Sequence, residues 1–512
     1  MNIAHNVESS RRYFPNRPAL IFEDQTYSYR HLDELANRVC NGLRGLGVQR
    51  GDRVALLLPN IPEFIFAYLG VQKLGAISVS INVMLVGREI EYLLNDSGAV
   101  VLFTTPELWA RIDWANVPSL KHVIIASDQA PSGMTFTKLM EQASSTAEAA
   151  EMDPNDPAAI VYSSGTTGFP KGVTLSHANV ISNMYAKNHY MGIKPEDRML
   201  LYLPLFHGFG QNAVMNASLT AGSTLVLHRR FELEQILHSV EKNRVSMFCA
   251  VPTIFIIMLN ERVDPAALSP VRYYLGAAAN LPREIAEQWW ETFGILVNVG
   301  YGMTETSPFA SYNHHIKYKL GSIGTPIENV EMKIVDLDSG EKAQPGQVGE
   351  IVIRGPNVML GYWNQPEATA QVLKNGWYYT GDIGRVDEEG YFFIEDRLKD
   401  MVNVAGLKVY PAEVENALYQ HPAVAEAAVY GIPNAVTGEQ VEADVVLRPG
   451  CSATDIELAA LCRQSIASYK VPSVIHFVDQ LPKSATGKVL KRVLRGDAQS
   501  GPIAGQATVK QS

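Results

Sequence analysis

The chain has 512 residues, of which 46% are hydrophobic and 19% charged, and its formal net charge is −10 at pH 7. This length is enough for two or three hydrophobic cores, and the composition is that of a soluble globular protein. The acidic balance excludes a basic field that would favour nucleic acid, although a local basic patch could still bind a phosphorylated ligand.

No targeting segment is visible in the sequence. The first residues lack the apolar core of a signal peptide, and Pro59, Asn60 and Glu63 interrupt one of the most apolar stretches. The final residues, VKQS, are not a peroxisomal address. The four cysteines are scattered without a CxxC pair, which favours a reducing compartment over a zinc site or disulfide framework. We therefore expect a cytoplasmic protein without a transmembrane segment; peripheral membrane contact stays open.

Strand and helix signals alternate over the first 110 residues. Apolar residues recur at helical spacing between Leu32 and Leu46, and Ser28 stands where a cap would begin that helix. Residues 62–73 indicate another helix, and short apolar runs predict strands at 53–58, 76–81 and 100–105. This βαβ rhythm predicts a largely parallel sheet covered by helices.

The pattern changes twice further along the chain. Residues 127–157 are rich in Ser, Ala, Asp and Pro and are expected to connect two parts, after which 158–164 predicts a strand. Alternating strands and helices return over 198–300, whereas Gly- and Pro-punctuated runs over 320–395 indicate β-hairpins. From about residue 397 a second unit begins, with a helix predicted at 411–420 and strands near 424–430 and 441–447.

The predicted fold class is therefore α/β and α+β, in a multidomain chain. A large N-terminal α/β portion with a β-rich subdomain is expected over 1–396. A small α+β domain is expected over 397–496, and the small, polar residues 497–512 are expected to form a disordered tail.

The strongest chemical signal is SSGTTGFPKG at 163–172. Its glycines let the backbone turn its amides toward an anion, its hydroxyls add donors, and its lysine adds positive charge. The loop lacks the GK[ST] of the common P-loop but suits a polyphosphate. The residues predicted to contact phosphate are Ser163, Ser164, Gly165, Thr166, Thr167, Gly168 and Lys171.

This segment resembles the phosphate-binding signature of the adenylate-forming superfamily, which includes acyl-CoA synthetases, aryl-CoA ligases, adenylation domains of peptide synthetases and insect luciferases. The resemblance extends from about residue 10 to residue 495, and several further motifs occur in the order of that family. It implies ATP, Mg²⁺ and coenzyme A as cofactors and co-substrates. It also implies a small C-terminal domain that rotates between two half-reactions.

Two motifs resemble the family's nucleotide pocket. In YGMTETSP at 301–308, the resemblance implies that Tyr301 packs on adenine, Thr304 contacts the α-phosphate and Glu305 helps to hold Mg²⁺, which accepts hard oxygen ligands. GAAAN at 276–280 takes the place where relatives line the adenine and acyl pockets. The small residues assigned there are Gly276, Ala277, Ala278 and Gly302.

Two later segments resemble the ribose site and the domain hinge. YYTGD at 378–382 gives Asp382, a carboxylate that can accept hydrogen bonds from both ribose hydroxyls. In DRLKDMVNVAGLKVYPAEVE, which begins at residue 396, the resemblance implies that Arg397 also contacts ribose and that Lys399 occupies the hinge. Gly406 begins the loop that would enter the active site for thioester formation.

Two residues are assigned to the reacting centre. PKSATGKVLKR at 482–492 places Lys488 at the family's catalytic lysine, whose charge would bridge the substrate carboxylate and the α-phosphate. LPLFHGFGQN at 203–212 resembles a segment beside the acyl pocket, in which His207 would shape or gate the pocket near the reacting carboxylate.

The acyl side gives a weaker signal. The segment at 203–212 carries no carboxylate to pair with an α-amino group, which disfavours an amino-acid substrate. The candidate lining residues are mostly small, and Gly300 and Gly302 are expected to leave open space, so a medium- or long-chain fatty acid is favoured over acetate.

The sequence thus predicts an acid–thiol ligase that forms acyl-AMP and passes the acyl group to coenzyme A. Three alternatives stay open: transfer to the phosphopantetheine arm of an acyl carrier protein, activation of an aryl or hydroxycinnamic acid, and a binding homologue without turnover. Against the last stands the presence of Lys488, Glu305, Asp382 and Arg397.

Overall fold

A computed structural model describes residues 1–130, 133–163, 170–405, 407–434, 436–484 and 487–496. The α-helices in these ranges are α1 (Ile3–Tyr13), α2 (Tyr29–Gly45), α3 (Pro62–Leu74), α4 (Gly87–Ser97), α5 (Pro106–Trp109), α6 (Phe136–Glu141), α7 (His177–Met191), α8 (Ala217–Ala221), α9 (Leu233–Lys242), α10 (Pro252–Asn260), α11 (Arg283–Phe293), α12 (Pro366–Val372), α13 (Pro411–Tyr419), α14 (Asp455–Ser465) and α15 (Lys491–Leu494).

The strands are β1 (Pro18–Phe22), β2 (Gln25–Ser28), β3 (Arg53–Leu56), β4 (Ile77–Ser80), β5 (Val101–Thr104), β6 (His122–Ile125), β7 (Met134–Thr135), β8 (Pro157–Ser163), β9 (Lys171–Ser176), β10 (Arg198–Leu201), β11 (Thr224–Leu227), β12 (Met247–Ala250), β13 (Tyr273–Gly276), β14 (Val297–Gly302), β15 (Phe309–Asn313), β16 (Thr325–Pro326), β17 (Glu331–Val335), β18 (Gly349–Arg354), β19 (Gly361–Tyr362), β20 (Leu373–Lys374), β21 (Trp377–Val386), β22 (Phe392–Arg397), β23 (Val402–Val404), β24 (Leu407–Val409), β25 (Val424–Asn434), β26 (Gly438–Leu447) and β27 (Val474–Phe477).

Two large sheets form the N-terminal body. The first has the strand order β19-β9-β8-β4-β3-β5-β6-β7, and the second has the order β16-β15-β14-β13-β12-β10-β11-β1-β2. Most neighbouring strands in both sheets are parallel, which confirms the prediction from the βαβ rhythm. The antiparallel pairs that concern the site, β8 with β9 and β14 with β15, lie beside the predicted phosphate loop and the YGMTETSP motif.

The early helices form as the sequence predicts. Ser28 precedes α2, and its hydroxyl accepts a hydrogen bond from the amide of His31 at 3.2 Å, which satisfies one of the donors exposed at a helix start. Helix α3 is apolar on nearly every side, and twelve of its thirteen residues are buried, from Pro62 to Leu74. Such a helix can lie only inside a core.

Two smaller sheets follow in the chain. Strands β17, β18 and β20 to β22 pair antiparallel over the region in which hairpins were predicted, and β23 to β27 make a separate sheet with its own hydrophobic core. The chain passes from one sheet to the other between Arg397 and Val402. This is the architecture of a large α/β body with a small α+β unit, as the sequence predicts.

One predicted connection is more structured than expected. Residues 127–157 contain strand β7, which extends the first sheet, and helix α6, which packs on α2. Phe136 and Leu139 give α6 a buried face that the polar composition of the stretch concealed. The predicted tail at 497–512 lies outside the described residues. None of the helices described is long and apolar enough to cross a membrane.

Candidate active site

A buried carboxylate joins three strands, β14, β21 and β22. Asp382 on β21 is 4% exposed; its Oδ2 accepts a hydrogen bond from the hydroxyl of Tyr301 at 2.8 Å, and its Oδ1 lies 3.1 Å from Nε of Arg397. Asp382 and Arg397 are directly opposed in the register of β21 and β22, so the hairpin itself brings the pair together. Tyr301 reaches the pair from β14 in the large sheet.

A second carboxylate lies at the end of β14. Glu305 is 9% exposed, and burial raises the pKa of its side chain. Its Oε1 accepts a hydrogen bond from the hydroxyl of Tyr362 on β19 at 3.1 Å. The ammonium of Lys171 lies 4.9 Å from the centre of the same tyrosine ring, within the range of a cation–π contact. Tyr362 therefore ties the predicted metal ligand to the lysine of the phosphate loop.

The described ends of the phosphate loop lie on one hairpin. Ser163 closes β8, Lys171 opens β9, and the two are paired in register. Thr304 begins a short 3-10 helix directly before Glu305 and is half-buried. The remaining predicted phosphate contacts, Ser164, Gly165, Thr166, Thr167 and Gly168, lie outside the described residues, as does Gly406.

The C-terminal lysine motif reaches into the cleft of the N-terminal body. The carbonyl of Gly487 accepts a hydrogen bond from the hydroxyl of Thr253, in the first turn of α10, at 3.4 Å. An added Cβ on Gly487 would lie 3.2 Å from Val251, and its φ of +76° is one that glycine adopts readily. This contact fixes the backbone beside Lys488, whose side chain is half-buried.

The pKa values of Lys488 and His207 are both lowered in this region. Burial lowers the pKa of Lys488 to about 8, and the positive charge of Arg397 acts in the same direction. Burial also lowers the pKa of His207 to about 4, with a further contribution from the charge of Lys488. His207 is therefore neutral at ordinary pH, and its Nδ1 accepts a hydrogen bond from the amide of Phe209 at 3.2 Å. The hinge residue predicted from the resemblance, Lys399, is exposed.

The small residues of GAAAN end a strand of the large sheet. Gly276 is the last residue of β13, Ala277 is buried and Ala278 is exposed. Ala278 adopts a φ of +72°, which is rare for a residue with a side chain and is found more often at functional sites than elsewhere. A Cβ on Gly276 would lie 3.1 Å from Val297 and 3.4 Å from Phe255.

The expectation that two glycines leave open space is wrong. A Cβ on Gly300 would lie 2.2 Å from the ring of Phe309, and a Cβ on Gly302 would lie 1.8 Å from the carbonyl oxygen of Pro308. Both glycines are on β14, against which β15 pairs with an irregular register. The ring of Phe309 and the carbonyl of Pro308 occupy the positions that side chains would take at Gly300 and Gly302, so neither glycine leaves space for a substrate chain.

Two residues of the site were missed by the sequence reasoning. Tyr362 lies within the β-rich region, between β18 and β20, but its strand pairs with β9 of the first large sheet, where Tyr362 opposes Val173. The only signal for it is the short GYW stretch, which interrupts the hairpin pattern. Thr253 carries no signal, because its part depends on where the C-terminal unit docks.

Comparison with known proteins identifies the class to which this arrangement belongs. The family model described as "AMP-binding enzyme" matches residues 7–363. The model described as "AMP-binding enzyme C-terminal domain" matches residues 413–488. The long-chain-fatty-acid–CoA ligase of Bacillus subtilis (strain 168) is 36% identical over 520 residues, covering 95% of this chain and 93% of the relative. The feruloyl-CoA synthase of an Amycolatopsis species is 36% identical, covering 94% and 96%.

The fold is shared with solved enzymes of the same kind. The crystal structure of the anthranilate CoA ligase AuaEII in complex with anthranoyl-AMP superposes with a TM-score of 0.92 at 31% identity, covering 97% of each chain. The chain thus belongs to the AMP-binding enzyme family and, within it, to the acid–thiol ligases.

Proposed function

We propose that this protein activates a carboxylic acid with ATP and transfers the acyl group to coenzyme A. The observation that carries the proposal is the docking of the C-terminal lysine loop on the N-terminal body, where the hydroxyl of Thr253 donates to the carbonyl of Gly487 and the charges of Arg397 and Asp382 act on Lys488. A cation presented beside a nucleotide pocket is what an attack of carboxylate on phosphate requires.

In the first step, a carboxylate oxygen of the acid attacks the α-phosphorus of ATP, and the bond to the leaving pyrophosphate breaks. Asp382 would accept hydrogen bonds from the ribose hydroxyls, held in place by Arg397 and Tyr301. Lys488 would offset the repulsion between the two anions as they meet. Lys171 and the hydroxyl-rich loop that it closes would bind the β- and γ-phosphates.

Glu305 is suited to Mg²⁺. It is a buried carboxylate whose Oε1 accepts a hydrogen bond from Tyr362, and its oxygens are hard ligands of the kind that this cation prefers. The described residues contain no cluster of three or more His, Cys, Asp or Glu that could hold a metal by themselves, which fits an ion bound mainly through phosphate oxygens. When bound, Mg²⁺ would neutralise negative charge on the phosphates.

In the second step, the thiol sulfur of coenzyme A attacks the acyl carbonyl carbon, AMP leaves, and the thiol proton is released. By resemblance, the C-terminal unit rotates about Lys399, Lys488 withdraws, and the loop that begins at Gly406 enters. We propose that the boundary between the two domains lies near residue 397. We also propose that the protein acts in the cytoplasm.

The acid is proposed to be apolar. A medium- or long-chain fatty acid is the first candidate and is supported by the Bacillus subtilis relative, whereas an aryl acid is supported by the Amycolatopsis relative. The structure gives the aryl acid one further argument. Phe309 covers Gly300 and packs edge-to-face on Phe209 at 6.1 Å between ring centres, so the space that Gly300 was expected to leave for a long chain is filled.

The test uses the full chain with ATP, Mg²⁺ and a panel of straight-chain and aryl acids, with coenzyme A and a carrier protein in competition. We expect AMP, pyrophosphate and an acyl-CoA thioester, identified by mass spectrometry. Exchange of labelled pyrophosphate into ATP that depends on the acid, in the absence of thiol, would establish the adenylate. The proposal would be overturned if no acid supported exchange, and the acceptor assignment if the carrier protein were acylated in preference to coenzyme A.

A further inference from the structure

One tyrosine contacts both the proposed metal ligand and the lysine that is proposed to bind phosphate. The hydroxyl of Tyr362 donates a hydrogen bond to Oε1 of Glu305 at 3.1 Å. The centre of the same ring lies 4.9 Å from the ammonium of Lys171. The phenol thus offers its hydroxyl to one residue and its π-face to the other, so the two contacts can be removed one at a time.

The backbone around Tyr362 is held by two separate elements. Tyr362 pairs with Val173 on β9, the strand that Lys171 opens. The amide of Met359, in the same short segment, donates to the carbonyl of Glu305 at 2.9 Å, in the short 3-10 helix that carries this carboxylate. The segment therefore connects the strand of the phosphate lysine to the turn of the metal ligand, and it fixes the position of the phenol between them.

Both contacts act on side chains that must present a charge in one direction. A carboxylate rotates broadly about its last side-chain bond, and a donor bound to one of its oxygens restricts that rotation. A lysine ammonium is a compact charge on a flexible stem, and an aromatic face attracts it to one place. A single phenol that makes both contacts can therefore orient both charges.

We propose that Tyr362 is a positioning residue that couples the binding of Mg²⁺ to the binding of the ATP phosphates. Its hydroxyl orients the carboxylate of Glu305 for the ion, and its ring holds the ammonium of Lys171 for the phosphates. This inference rests on the proposed function and gives strand β19 a part in the first half-reaction. Partners that orient a metal ligand in this way contribute about 10–100-fold to metal affinity or activity.

Tyr362→Phe removes the hydroxyl and keeps the ring. Calorimetry with the full chain, without any acid, measures the binding of ATP in excess Mg²⁺ and again with the metal removed by EDTA. Without the metal, the variant should bind ATP as the wild type does, because the ring still holds Lys171. With Mg²⁺, it should bind ATP about 10–100-fold more weakly than the wild type, because Glu305 is no longer oriented.

Tyr362→Leu removes the ring as well and tests the contact with Lys171. Loss of a cation–π contact at a partly exposed site should weaken the metal-free binding of ATP by about two- to fivefold relative to Tyr362→Phe. In a Lys171→Met background, the Phe and Leu variants should bind metal-free ATP equally, since no ammonium is left for the ring to hold.

The Mg²⁺ dependence of pyrophosphate exchange gives a second readout. In Tyr362→Phe, the Mg²⁺ concentration for half-maximal exchange should rise about tenfold or more, and the deficit should decrease as Mg²⁺ is added. Tyr391→Phe is the matched control at the turn end of the β21–β22 hairpin. The hydroxyl of Tyr391 donates to the carbonyl of Lys317 at 2.7 Å, and its ring centre lies 5.0 Å from the ammonium of Lys319. This control should keep the Mg²⁺ dependence of the wild type.

Each outcome decides the inference. A Tyr362→Phe protein that binds ATP in Mg²⁺ as tightly as the wild type overturns it, whether or not Tyr362→Leu folds. An equal loss with and without Mg²⁺ also overturns it, since the hydroxyl would then act on the nucleotide or on the fold. Equal metal-free affinities of the Phe and Leu variants, with Lys171 present, would remove this lysine from the coupling. If no acid supports pyrophosphate exchange, the proposed function fails, and the Mg²⁺ dependence of ATP binding still decides the part of Tyr362.

Discussion

Two buried or half-buried lysines, Lys73 and Lys488, differ in whether carboxylates of the fold compensate their charge. Lys73, on α3, is 1% exposed; its ammonium contacts the carboxylates of Glu8 on α1 and Asp33 on α2, the latter at 2.8 Å. Asp33 also forms an ion pair with Arg11, whose Nε lies 3.3 Å from Oδ2 of Asp33. Three helices thus place their charges so that each is compensated within the fold.

Lys488 lacks such compensation. It is half-buried beside Arg397, and among the described residues no carboxylate lies within ion-pair distance of its ammonium. A charge that its own fold does not neutralise is available to an anionic substrate, but it holds the loop in place only weakly. The difference teaches that a compensated buried lysine stabilises the body, whereas an uncompensated one is a candidate for binding an anionic ligand.

The largest effect is expected from breaking the compensated cluster. Lys73→Ala leaves Asp33 buried with Arg11 as the remaining cation in contact with it and should lower the free energy of unfolding by about 3–5 kcal/mol. Denaturant titration of the first unfolding transition measures it. Lys73→Met combined with Asp33→Leu should recover much of the loss, and a single variant as stable as the wild type would contradict the structural assignment of this lysine.

Lys488→Ala should act on chemistry rather than stability. Removal of one charge-stabilising group costs about 10²–10³ in rate, so acid-dependent pyrophosphate exchange should fall by that factor. Thioester formation from supplied acyl-AMP should be retained. Lys483→Ala is the matched control on the same loop, because Lys483 is paired with Glu426 at 2.7 Å inside the C-terminal unit. Equal losses in both half-reactions of a folded Lys488→Ala protein would refute the assignment.

Asp382→Ala tests the nucleotide side of the uncompensated region. Loss of a buried hydrogen bond that involves a charged group costs about 1.5–3 kcal/mol, which should be measured as weaker use of ATP with the preference among acids unchanged. Asp387→Ala is the control, since Asp387 lies just beyond β21 and pairs with Lys319 away from the site. Normal apparent affinity for ATP in Asp382→Ala would remove this residue from the site.

The smallest effect is one of pH. Lys488 is proposed to act in its protonated form, and its pKa of about 8 in the free protein means that this form is present below pH 8 and lost above it. The value of kcat/KM for adenylation, which reports the free enzyme, should therefore be level toward neutral pH and fall by up to about tenfold between pH 8 and 9. His207, with a pKa of about 4, should add no change between pH 5 and 7.

This pH profile is checked by pyrophosphate exchange with the wild type and with Lys488→Arg. Arginine stays protonated throughout, so any residual activity of that variant should lack the alkaline decline. An alkaline decline of the same size in both proteins would assign it to another group and would weaken the contrast with Lys73.

Much of the site followed from local patterns in the chain. Asp382, Arg397, Tyr301, Glu305 and Lys488 each lie in a segment with a recognisable string, and the structure brings the first three into direct contact. The strand and helix periodicities also placed most elements within a few residues, because the alternation of apolar residues depends on which face is buried.

The errors and omissions involve contacts between distant segments. Gly300 and Gly302 were expected to open a pocket, but the ring of Phe309 and the carbonyl of Pro308 fill the space in front of them. Glycine at these positions indicates that another part of the chain approaches the backbone closely. Which residues approach depends on how β15 pairs beside β14. Tyr362 was missed for the same reason, since β19 pairs with β9 from almost two hundred residues away.

The sequence by itself determined the class of fold and the order of the motifs, because these depend on short-range periodicity and on local strings, and the resemblance of those strings to a family predicted the charged residues of the nucleotide site. Only the tertiary structure decided which buried lysines have partners. Lys73, Lys187 and Lys488 are indistinguishable as letters in the chain, and only the packing of separate helices and strands gives the first its carboxylates and leaves the second without a hydrogen-bond partner among the described residues.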